Sequence, residues 1–428
     1  MSEARTFDTT EVTPDLHPEL QPRPAQDPVT TPLIELDVAR SSLFVKDTQW
    51  PFFERLRREA PVHFYKDSAF GPFWSVSNYK LIKEVDENHE VFSSEPGITI
   101  SEQDEDFQLP MFIAMDRPRH DEQRKVVQPV VAPRNLANLE STIRGRVGTI
   151  LDNLPVGEPF NWVDRVSIEL TTQMLASILG FPFEERAKLT RWSDVATAAP
   201  GAGIVESEEQ RRAELLECLE YFTRLWNQRI NEAPQDDMIS MLAHGAATRN
   251  MAPMEYLGNV ILLIVGGNDT TRNSISGGVL ALNQFPGEYE KLRANTALIP
   301  NMVAEIIRWQ TPLAHMRRRA KVDYLLNGQH IRAGDKVVMW YVSGNRDESV
   351  FPDAHKLIID RENARRHLSF GFGIHRCMGN RLGEMQLRIL WEEIMQRFHR
   401  VEVVGEPERV LSTFVRGYTK LPVVVHPK

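Results

Sequence analysis

The feature that most constrains the fold is a long, almost wholly apolar stretch in the second half of the chain. Residues Met254 to Leu282 keep helical spacing and are hydrophobic nearly all round. A helix without a polar face is expected to lie at the centre of a protein. The apolar spacing is also helical from Ala137 to Ala247, with breaks at four prolines: Pro155, Pro182, Pro200 and Pro234. The sequence therefore predicts a mainly α fold.

The middle of this helix carries residues that a purely structural helix would avoid. Gly266 and Gly267 weaken a helix, while Asp269 and Thr270 place an acid and a hydroxyl inside an apolar element. One interpretation is structural, with Thr270 bonded to its own helix and Asp269 in a salt bridge. The other is functional: glycines make room beside a bound molecule, and the acid and the hydroxyl deliver protons to it.

A second unusual stretch runs from His367 to Glu393, where a glycine-rich loop leads into an amphipathic helix. Cys377 lies at the junction, where helix N-terminal N–H groups favour a thiolate. A thiolate there is a good axial ligand for haem iron. The alternative is that Cys377 is simply a small buried hydrophobic residue.

Short strands are expected between the helices. Two apolar runs, Val62 to Tyr65 and Phe73 to Val76, predict a hairpin that follows a helix at Trp50 to Ala60 and precedes one at Tyr79 to Val85. Residues Tyr324 to Gly328 and His330 to Val338 predict a β region with an Asn327-Gly328 turn, and Val401 to Val404 with Leu421 to Val425 predict a minor sheet. Residues 93–114 lack periodicity, and the segment Pro200 to Ser207 is a candidate mobile lid.

Composition limits the partners and the compartment. The chain has 428 residues, a formal charge of −9 and two cysteines, Cys218 and Cys377. These values argue against nucleic-acid binding, a disulfide framework and a cysteine-rich metal site. Residues 1–32 are polar and proline-rich and offer no membrane anchor. We expect a disordered tail over 1–32, a single catalytic domain over 33–428, and a soluble, monomeric, cytoplasmic protein.

The motif Phe370-x-x-Gly373-x-His375-x-Cys377-x-Gly379 resembles the haem-binding signature of the cytochrome P-450 superfamily. The resemblance implies a triangular prism with haem b between the long central helix and the helix after the cysteine loop, and Cys377 as the ligand of the metal. The string Gly266 to Thr271 resembles the family's oxygen-activation motif, which implies that Asp269 and Thr270 are catalytic. Thiolate ligation favours monooxygenation, with O2 as co-substrate.

The resemblance also implies the remaining site residues. His120 and Arg124 share a helix face after Asp116, which can cap that helix, and Pro118, which fits its first turn; without the resemblance they would be a solvated polar stripe. The residues implied to contact the haem are Cys377, His120, Arg124, Arg318, His375, Phe370, Gly371 and Gly266, although Arg317 and Arg319 leave the register of Arg318 open. Residues implied to form a structural ion cluster are Glu305, Arg308 and Arg361. Those implied to line the substrate pocket are Ile98, Ile100, Met111, Leu262, Val265, Leu313, Met316 and Phe414.

Three longer strings, FIAMDRPRHDEQRK, LLIVGGNDTTRNS and EIIRWQTPLAHMRR, resemble the bacterial alkane-hydroxylase group. That likeness implies hydroxylation of the terminal methyl of medium-chain alkanes or related linear compounds such as fatty acids and alcohols. Electrons would come from NAD(P)H through a reductase and a [2Fe–2S] ferredoxin, docked near Arg366, Arg376 and Arg381. The alternatives are a P-450 for a terpene or cyclic substrate, a haem-based gas sensor, a peroxygenase, and a helical interaction protein without haem.

Overall fold

The computed structural model describes residues 16–428, and those residues contain fourteen α-helices. In chain order the helices are α1 Ser41–Val45, α2 Trp50–Glu59, α3 Tyr79–Glu87, α4 Arg119–Val127, α5 Pro133–Asp152, α6 Glu169–Leu179, α7 Ala187–Thr197, α8 Glu208–Arg229, α9 Met238–His244, α10 Pro253–Gln284, α11 Pro286–Ala294, α12 Ile299–Gln310, α13 Tyr341–Gly344 and α14 Asn380–Arg397. Within the same residues, no helix is both long enough and apolar enough to cross a bilayer.

Twelve short strands accompany these helices in the described residues. They are β1 Val62–Tyr65, β2 Phe73–Val76, β3 Phe92–Ser93, β4 Phe160–Asn161, β5 Met316–Ala320, β6 Tyr324–Leu326, β7 Gln329–Ile331, β8 Lys336–Met339, β9 Phe398–Val403, β10 Glu408–Arg409, β11 Tyr418–Lys420 and β12 Pro422–Pro427. The largest sheet has the order β1-β2-β8-β5-β3, and a second has the order β4-β12-β9. Two hairpins, β6–β7 and β10–β11, complete the β-structure. The prediction of a mainly α chain with small sheets is confirmed.

Strand β8 lies inside the largest sheet and is covered on both faces. Val338 packs into the hydrophobic cluster that contains α2, whereas Val337 and Met339 pack into the cluster that contains α3. The sequence analysis placed His330 to Val338 in one continuous stretch of the β region, and that continuity is wrong, because β7 ends at Ile331 and β8 begins at Lys336. A turn from Arg332 to Asp335 separates them, because the Asp335 carboxylate accepts a hydrogen bond from the Arg332 N–H at 2.9 Å. Strand β8 instead pairs with β2 and β5.

Helix α10 forms the centre of the molecule, as the apolar stretch predicted. It is 32 residues long, begins at Pro253 and packs against α6, α7, α8, α12 and α14. Proline suits the first turn of a helix because the N–H it lacks would have no partner there. The contact with α14 brings the middle of α10 close to the loop that carries Cys377.

A buried ion cluster fixes the segment that precedes this loop. Arg308 donates to both carboxylate oxygens of Glu305 at 2.7 and 2.8 Å, and Arg361 donates to the same oxygens at 3.0 and 3.1 Å. The Arg308 guanidinium also donates to backbone carbonyls of three residues, Asn345, Ala354 and Lys356. Two guanidinium groups share one carboxylate, and each of the three charged groups is paired and hydrogen-bonded, which a buried ionic group requires.

Residues 16–32, which the sequence assigned to a disordered tail, run along the folded body. Pro18–Leu20 form one turn of 3₁₀ helix, and the Ser41 hydroxyl donates to the Glu19 carbonyl at 2.5 Å. A Cβ added to Gly201 would lie 3.0 Å from Cδ1 of Leu20, so Leu20 packs on the loop between α7 and α8. The boundary at residue 33 is therefore wrong, and residues 1–15 lie outside the described part of the chain. Packing of Leu20 on the body removes apolar surface from water, which favours docking of this segment. The sequence could not show that the two surfaces lie next to each other.

Candidate active site

One cavity of about 750 Å³ lies between the middle of α10 and the start of α14. Sixteen of the predicted site residues line it: Ile98, Ile100, Met111, Arg124, Leu262, Val265, Gly266, Thr270, Leu313, Met316, Arg318, Phe370, Gly371, His375, Cys377 and Phe414. His120 and Asp269 are not among the lining residues. The eight predicted pocket residues bring aliphatic, thioether and aromatic side chains, so their share of the wall is apolar.

Cys377 is held at the end of a tightly bonded loop. Its backbone N–H donates to the Phe370 carbonyl at 2.7 Å, and α14 begins three residues later at Asn380. The side chain is accessible from the cavity. Burial raises the pKa of the Cys377 thiol, and the N–H groups of Gly379 and Asn380, with Arg124 and Arg376, oppose that rise. The helix start therefore favours the thiolate, as expected, but does not outweigh burial by itself. A coordinated metal deprotonates a thiol outright.

Two histidines lie against each other beside the cysteine loop. The ring centroids of His120 and His375 are 4.3 Å apart, and Nδ1 of His120 lies 2.8 Å from Oδ1 of Asp121. Nε2 of His120 and both ring nitrogens of His375 are buried and have no hydrogen-bond partner among residues 16–428. Burial, with Arg318 nearby, lowers the pKa of His375 to about 2, so its ring is neutral. A neutral imidazole with one N–H is a donor for a ligand oxygen.

The start of α4, which carries His120, differs from the prediction. Helix α4 begins at Arg119 with Pro118 at the N-cap position, and no side chain caps it. Asp116 was expected to be the cap, but its carboxylate accepts a hydrogen bond from the Ser94 N–H at 3.1 Å. Its backbone carbonyl accepts from the His120 N–H instead. Asp116 thereby joins the two ends of the 93–114 loop, a contact that no helix-start rule can detect.

The register of the three consecutive arginines in β5 is resolved by their partners. Arg318 lines the cavity, whereas Arg317 and Arg319 both form ion pairs with Glu102. Arg318 donates from Nη2 to Oδ1 of Asp86 at 2.7 Å. Sequence reasoning missed Asp86. The signal was available, because Asp86 falls on the buried stripe of α3 with Tyr79 and Ile82, where an acid is out of place.

Gly266 and Gly267, in the middle of α10, face different neighbours. An added Cβ at Gly266 would meet nothing within 4 Å, and Gly266 lines the cavity. An added Cβ at Gly267 would lie 2.8 Å from Cδ1 of Leu175 on α6. Gly266 therefore makes room in the cavity, whereas Gly267 lets two helices approach closely.

Thr270 and Asp269 also point in different directions. The Thr270 hydroxyl donates to the Gly266 carbonyl at 3.0 Å and lines the cavity. Asp269 is fully buried away from it, 2.8 Å from Nη2 of Arg272, and Arg272 donates to Asp194 at 2.7 Å. The Asp194 side chain is 28% exposed. Burial raises the pKa of the Asp269 carboxyl, while Arg272 opposes that rise. Both contacts of the structural interpretation are present, the hydrogen bond of Thr270 to its own helix and the ion pair of Asp269 with Arg272, and a chain of ionic groups leads from Asp269 toward solvent.

The opposite end of the cavity is lined by partly exposed charged residues, and we call it the mouth. His17, Glu19, Asp104, Glu208 and Arg211 line it. Oε1 of Glu19 accepts hydrogen bonds from the N–H and the hydroxyl of Thr413 at 2.9 and 2.7 Å. Burial raises the pKa of Glu19 to about 7. The sequence analysis missed this group because it assigned residues 1–32 to a tail.

Residues 203–420 match the family model for cytochrome P-450. The chain belongs to the cytochrome P-450 family. Linalool 8-monooxygenase of Pseudomonas putida is 35% identical over 404 residues, covering 92% of this P-450 and 99% of that protein. A methyl-branched lipid omega-hydroxylase of Mycobacterium tuberculosis is 31% identical over 386 residues, covering 87% and 90%. The solved structure of CYP153D17 from Sphingomonas sp. PAMC 26605 superposes with a TM-score of 0.86 and 52% identity, covering 91% of this chain and 98% of that one.

The cytochrome P-450 family implies haem b, and the residues of the cavity fit that group. Cys377 offers a sulfur that is accessible from the cavity. Arg124 and Arg318 offer guanidinium groups on the same wall, and the ring nitrogens of His375 have no other acceptor in residues 16–428. Cationic and neutral donors of this kind suit the two carboxylates of a haem.

A basic groove lies on the outer side of the cysteine loop. It is lined by Lys80 and Lys83 of α3 and by Arg365, Arg366 and Arg376, with Glu84 and Glu87 at its edge. Arg381, also expected at this surface, is exposed but does not line the groove. The groove carries a local positive charge although the whole chain carries −9.

Proposed function

We propose that this P-450 hydroxylates the terminal methyl group of medium-chain alkanes or related linear compounds. The chain is a monooxygenase of hydrophobic substrates by its family, and the observation that supports the linear substrate is the eight-residue apolar wall of the cavity. Such a wall orients a substrate by shape and apolar burial, where each buried methylene contributes about 0.8 kcal/mol. The likeness to CYP153D17 agrees with the alkane-hydroxylase motifs in the sequence.

The residues of the cavity divide the work. Cys377 would hold the haem iron. The carboxylates of the haem would be bound by Arg124, Arg318 and His375, and His120 packs behind His375. Haem bound through a thiolate supplies the activation of dioxygen. The balanced reaction is R–CH3 with O2, two electrons and two protons giving R–CH2OH and water. The Thr270 hydroxyl would donate a proton in the cavity, and the neighbouring acid Asp269, which Arg272 holds beside the partly exposed Asp194, would take part in replacing that proton.

The decisive experiment combines a spectrum with a product analysis. The reduced, carbon-monoxide-bound protein should show the red-shifted Soret band of a thiolate-ligated haem, and Cys377→Ala should abolish it. Wild-type protein supplied with octane should then yield mainly octan-1-ol. A His-type spectrum in the wild type would overturn the haem-thiolate assignment. Mainly internal alcohols from octane would overturn terminal hydroxylation and leave that assignment in place.

A second candidate substrate class is a terpene. The 35% identity to linalool 8-monooxygenase, over 99% of that protein, favours it. Competition between octane and linalool for one enzyme sample decides between the two, because the ratio of products reports the ratio of kcat/KM. A ratio that favours the terpene would replace the alkane proposal.

We infer that the electron donor is an acidic [2Fe–2S] ferredoxin that binds the basic groove and is itself reduced by an NAD(P)H-dependent reductase. Lys80, Lys83 and Arg376 give the groove its charge, and exposed charges are screened beyond about 10 Å near 0.1 M salt. Raising the ionic strength should therefore slow reduction by ferredoxin. Lys83→Glu should slow it at low salt and remove most of the salt dependence. If neither the ionic strength nor Lys83→Glu changes the rate of reduction by ferredoxin, this docking surface is ruled out.

A further inference from the structure

Asp86 joins separate parts of the wall on the cysteine side. It is the penultimate residue of α3, its side chain is 1% exposed, and it lines the cavity with Cys377. Oδ1 accepts a hydrogen bond from Nη2 of Arg318. Oδ2 accepts one from the Tyr341 hydroxyl and one from the Phe372 N–H, and all three distances are 2.7 Å. A single carboxylate thus connects α3, β5, α13 and the loop before Cys377.

The loop is shaped to fit this end of α3. Gly371 and Gly373 have φ angles of +64° and +66°, which side chains other than glycine rarely adopt. An added Cβ at Gly371 would lie 3.2 Å from Oδ2 of Asp86, and one at Gly373 would lie 2.8 Å from the Asp86 carbonyl oxygen. Gly371, which the resemblance assigned to contact with the haem, and Gly373 of the cysteine motif therefore both lie against Asp86.

Asp86 also sets the orientation of Arg318. Within residues 16–428 this guanidinium donates to the Arg317 carbonyl at 2.8 Å and to Asp86 at 2.7 Å. A guanidinium carries five N–H donors in a rigid plane, so two fixed bonds define where the others point. The remaining donors are available to the cavity that Arg318 lines.

We propose that Asp86 is a positioning residue of the haem site, which orients Arg318, anchors the loop that carries Cys377 and, by its charge, lowers the reduction potential of the bound haem. This inference rests on the haem-binding role proposed above. A negative charge in a buried site is weakly screened and stabilises the more positive, ferric state. Three bonds of 2.7 Å, one of them to a guanidinium, fit an ionised carboxylate, although burial raises its pKa.

The test measures the haem reduction potential of variants that change one contact at a time. Asp86→Asn removes the charge and replaces one of the two acceptor oxygens with an amide NH2 group, which cannot accept a hydrogen bond. The potential should rise, with the equilibrium constant for reduction increasing by about tenfold, or 59 mV for one electron. Arg318→Gln removes the opposite charge, so the potential should fall. Tyr341→Phe removes one hydrogen bond and leaves both charges, so its shift should be smaller than either.

A matched control uses the other end of α3. Asp347 is also buried and accepts hydrogen bonds from the Tyr79 N–H and the Asn78 amide, but it does not line the cavity. Helix α3 has nine residues and is about 13 Å long, so Asp347→Asn should shift the potential far less than Asp86→Asn. The rate of haem transfer to an apoglobin, measured alongside, should rise in Asp86→Asn because Arg318 is released.

The outcomes separate this inference from the proposed function. A wild-type protein without a thiolate-haem spectrum would remove the proposed function. A wild-type protein with that spectrum, but with Asp86→Asn and Arg318→Gln shifting the potential in the same direction, would show a loosened site and overturn the inference alone. Equal potentials in wild type and Asp86→Asn would do the same. If Asp86→Asn fails to retain haem, Arg318→Gln and Asp86→Glu decide the question. Arg318→Gln should lower the potential, and Asp86→Glu, which keeps the charge, should not raise it. A rise of the potential in either variant would overturn the inference.

Discussion

The cysteine side of the cavity and its mouth are built by different means. On the cysteine side, buried ionic groups such as Glu305, Arg308 and Asp86 have several short hydrogen bonds each. At the mouth, charged groups are partly exposed; Arg212, for example, holds Asp104 and Asp106 in ion pairs on the surface. Buried pairs are costly to break, whereas exposed pairs contribute little. The cysteine side of the cavity is thus held in one geometry, whereas the mouth can rearrange at little cost in free energy.

The largest effect should follow from breaking the buried ion cluster. Arg308→Ala leaves buried Glu305 paired with Arg361 alone and removes the donor to three backbone carbonyls, so it should destabilise the protein by about 3–5 kcal/mol. The free energy of unfolding in urea measures this. Lys420→Ala is the control, because Lys420 pairs with Glu408 and both side chains are more than half exposed, so its loss should cost no more than about 1 kcal/mol. Equal costs would erase the contrast between buried and exposed charges.

A smaller effect, on coupling rather than on folding, should follow at the centre of the cavity. Thr270→Ala removes a hydroxyl that bonds only to its own helix turn in the described residues, so stability should change little. General acid catalysis contributes about 10²–10⁴-fold, so product formed per NAD(P)H should fall severalfold or more while NAD(P)H consumption continues. Thr270→Ser keeps the hydroxyl and should retain coupling. Full coupling in the alanine variant would exclude Thr270 from proton delivery.

The apolar wall should control where the substrate is attacked. Leu262→Ala enlarges the cavity beside Gly266 and should shift the product of octane from octan-1-ol toward octan-2-ol. Gas chromatography measures the ratio. Leu257→Ala provides the matched control, because Leu257 is buried on the same helix but does not line the cavity. It should lower stability and leave the ratio unchanged, and a ratio that moves equally in both variants would assign the effect to general loosening.

The smallest effect should appear at the mouth as a pH dependence. The pKa of Glu19 is about 7 when residues 16–20 are seated and 4.5 when it is solvated, so the seated form holds its proton more tightly. The resulting stabilisation is complete below about pH 4.5 and is lost as the pH rises through 7. Burial lowers the pKa of His17, so seating favours its neutral form. That effect opposes the loss from Glu19 below about pH 6.5 and adds no further change above about pH 7.

Hydrogen exchange in residues 16–20, corrected for its intrinsic pH dependence, should therefore increase between pH 6 and pH 8. Glu19→Gln removes the titrating group and should make the corrected exchange independent of pH. The same increase in Glu19→Gln would assign the effect to another residue.

The sequence predicted the parts of this fold that depend on local pattern. Helix α10 and the hairpin of β1 and β2 follow from apolar periodicity, and the cysteine loop follows from its glycines. The errors concern contacts between distant residues. Asp86 meets Arg318 across 232 positions of sequence, and Glu19 meets Thr413 across 394. The apolar stripe of α3 could indicate that Asp86 is buried, but no local rule identifies Arg318 as its partner. Nothing local indicates that Glu19, in a polar terminal segment, is buried at all.

The seated N-terminal segment has a practical consequence for engineering. Glu19 and Leu20 pack at the mouth, so a protein or an affinity tag joined directly before residue 16 would lie beside that mouth. Such a tag would alter the measured substrate preference. A reductase joined there would lie at the mouth rather than at the basic groove.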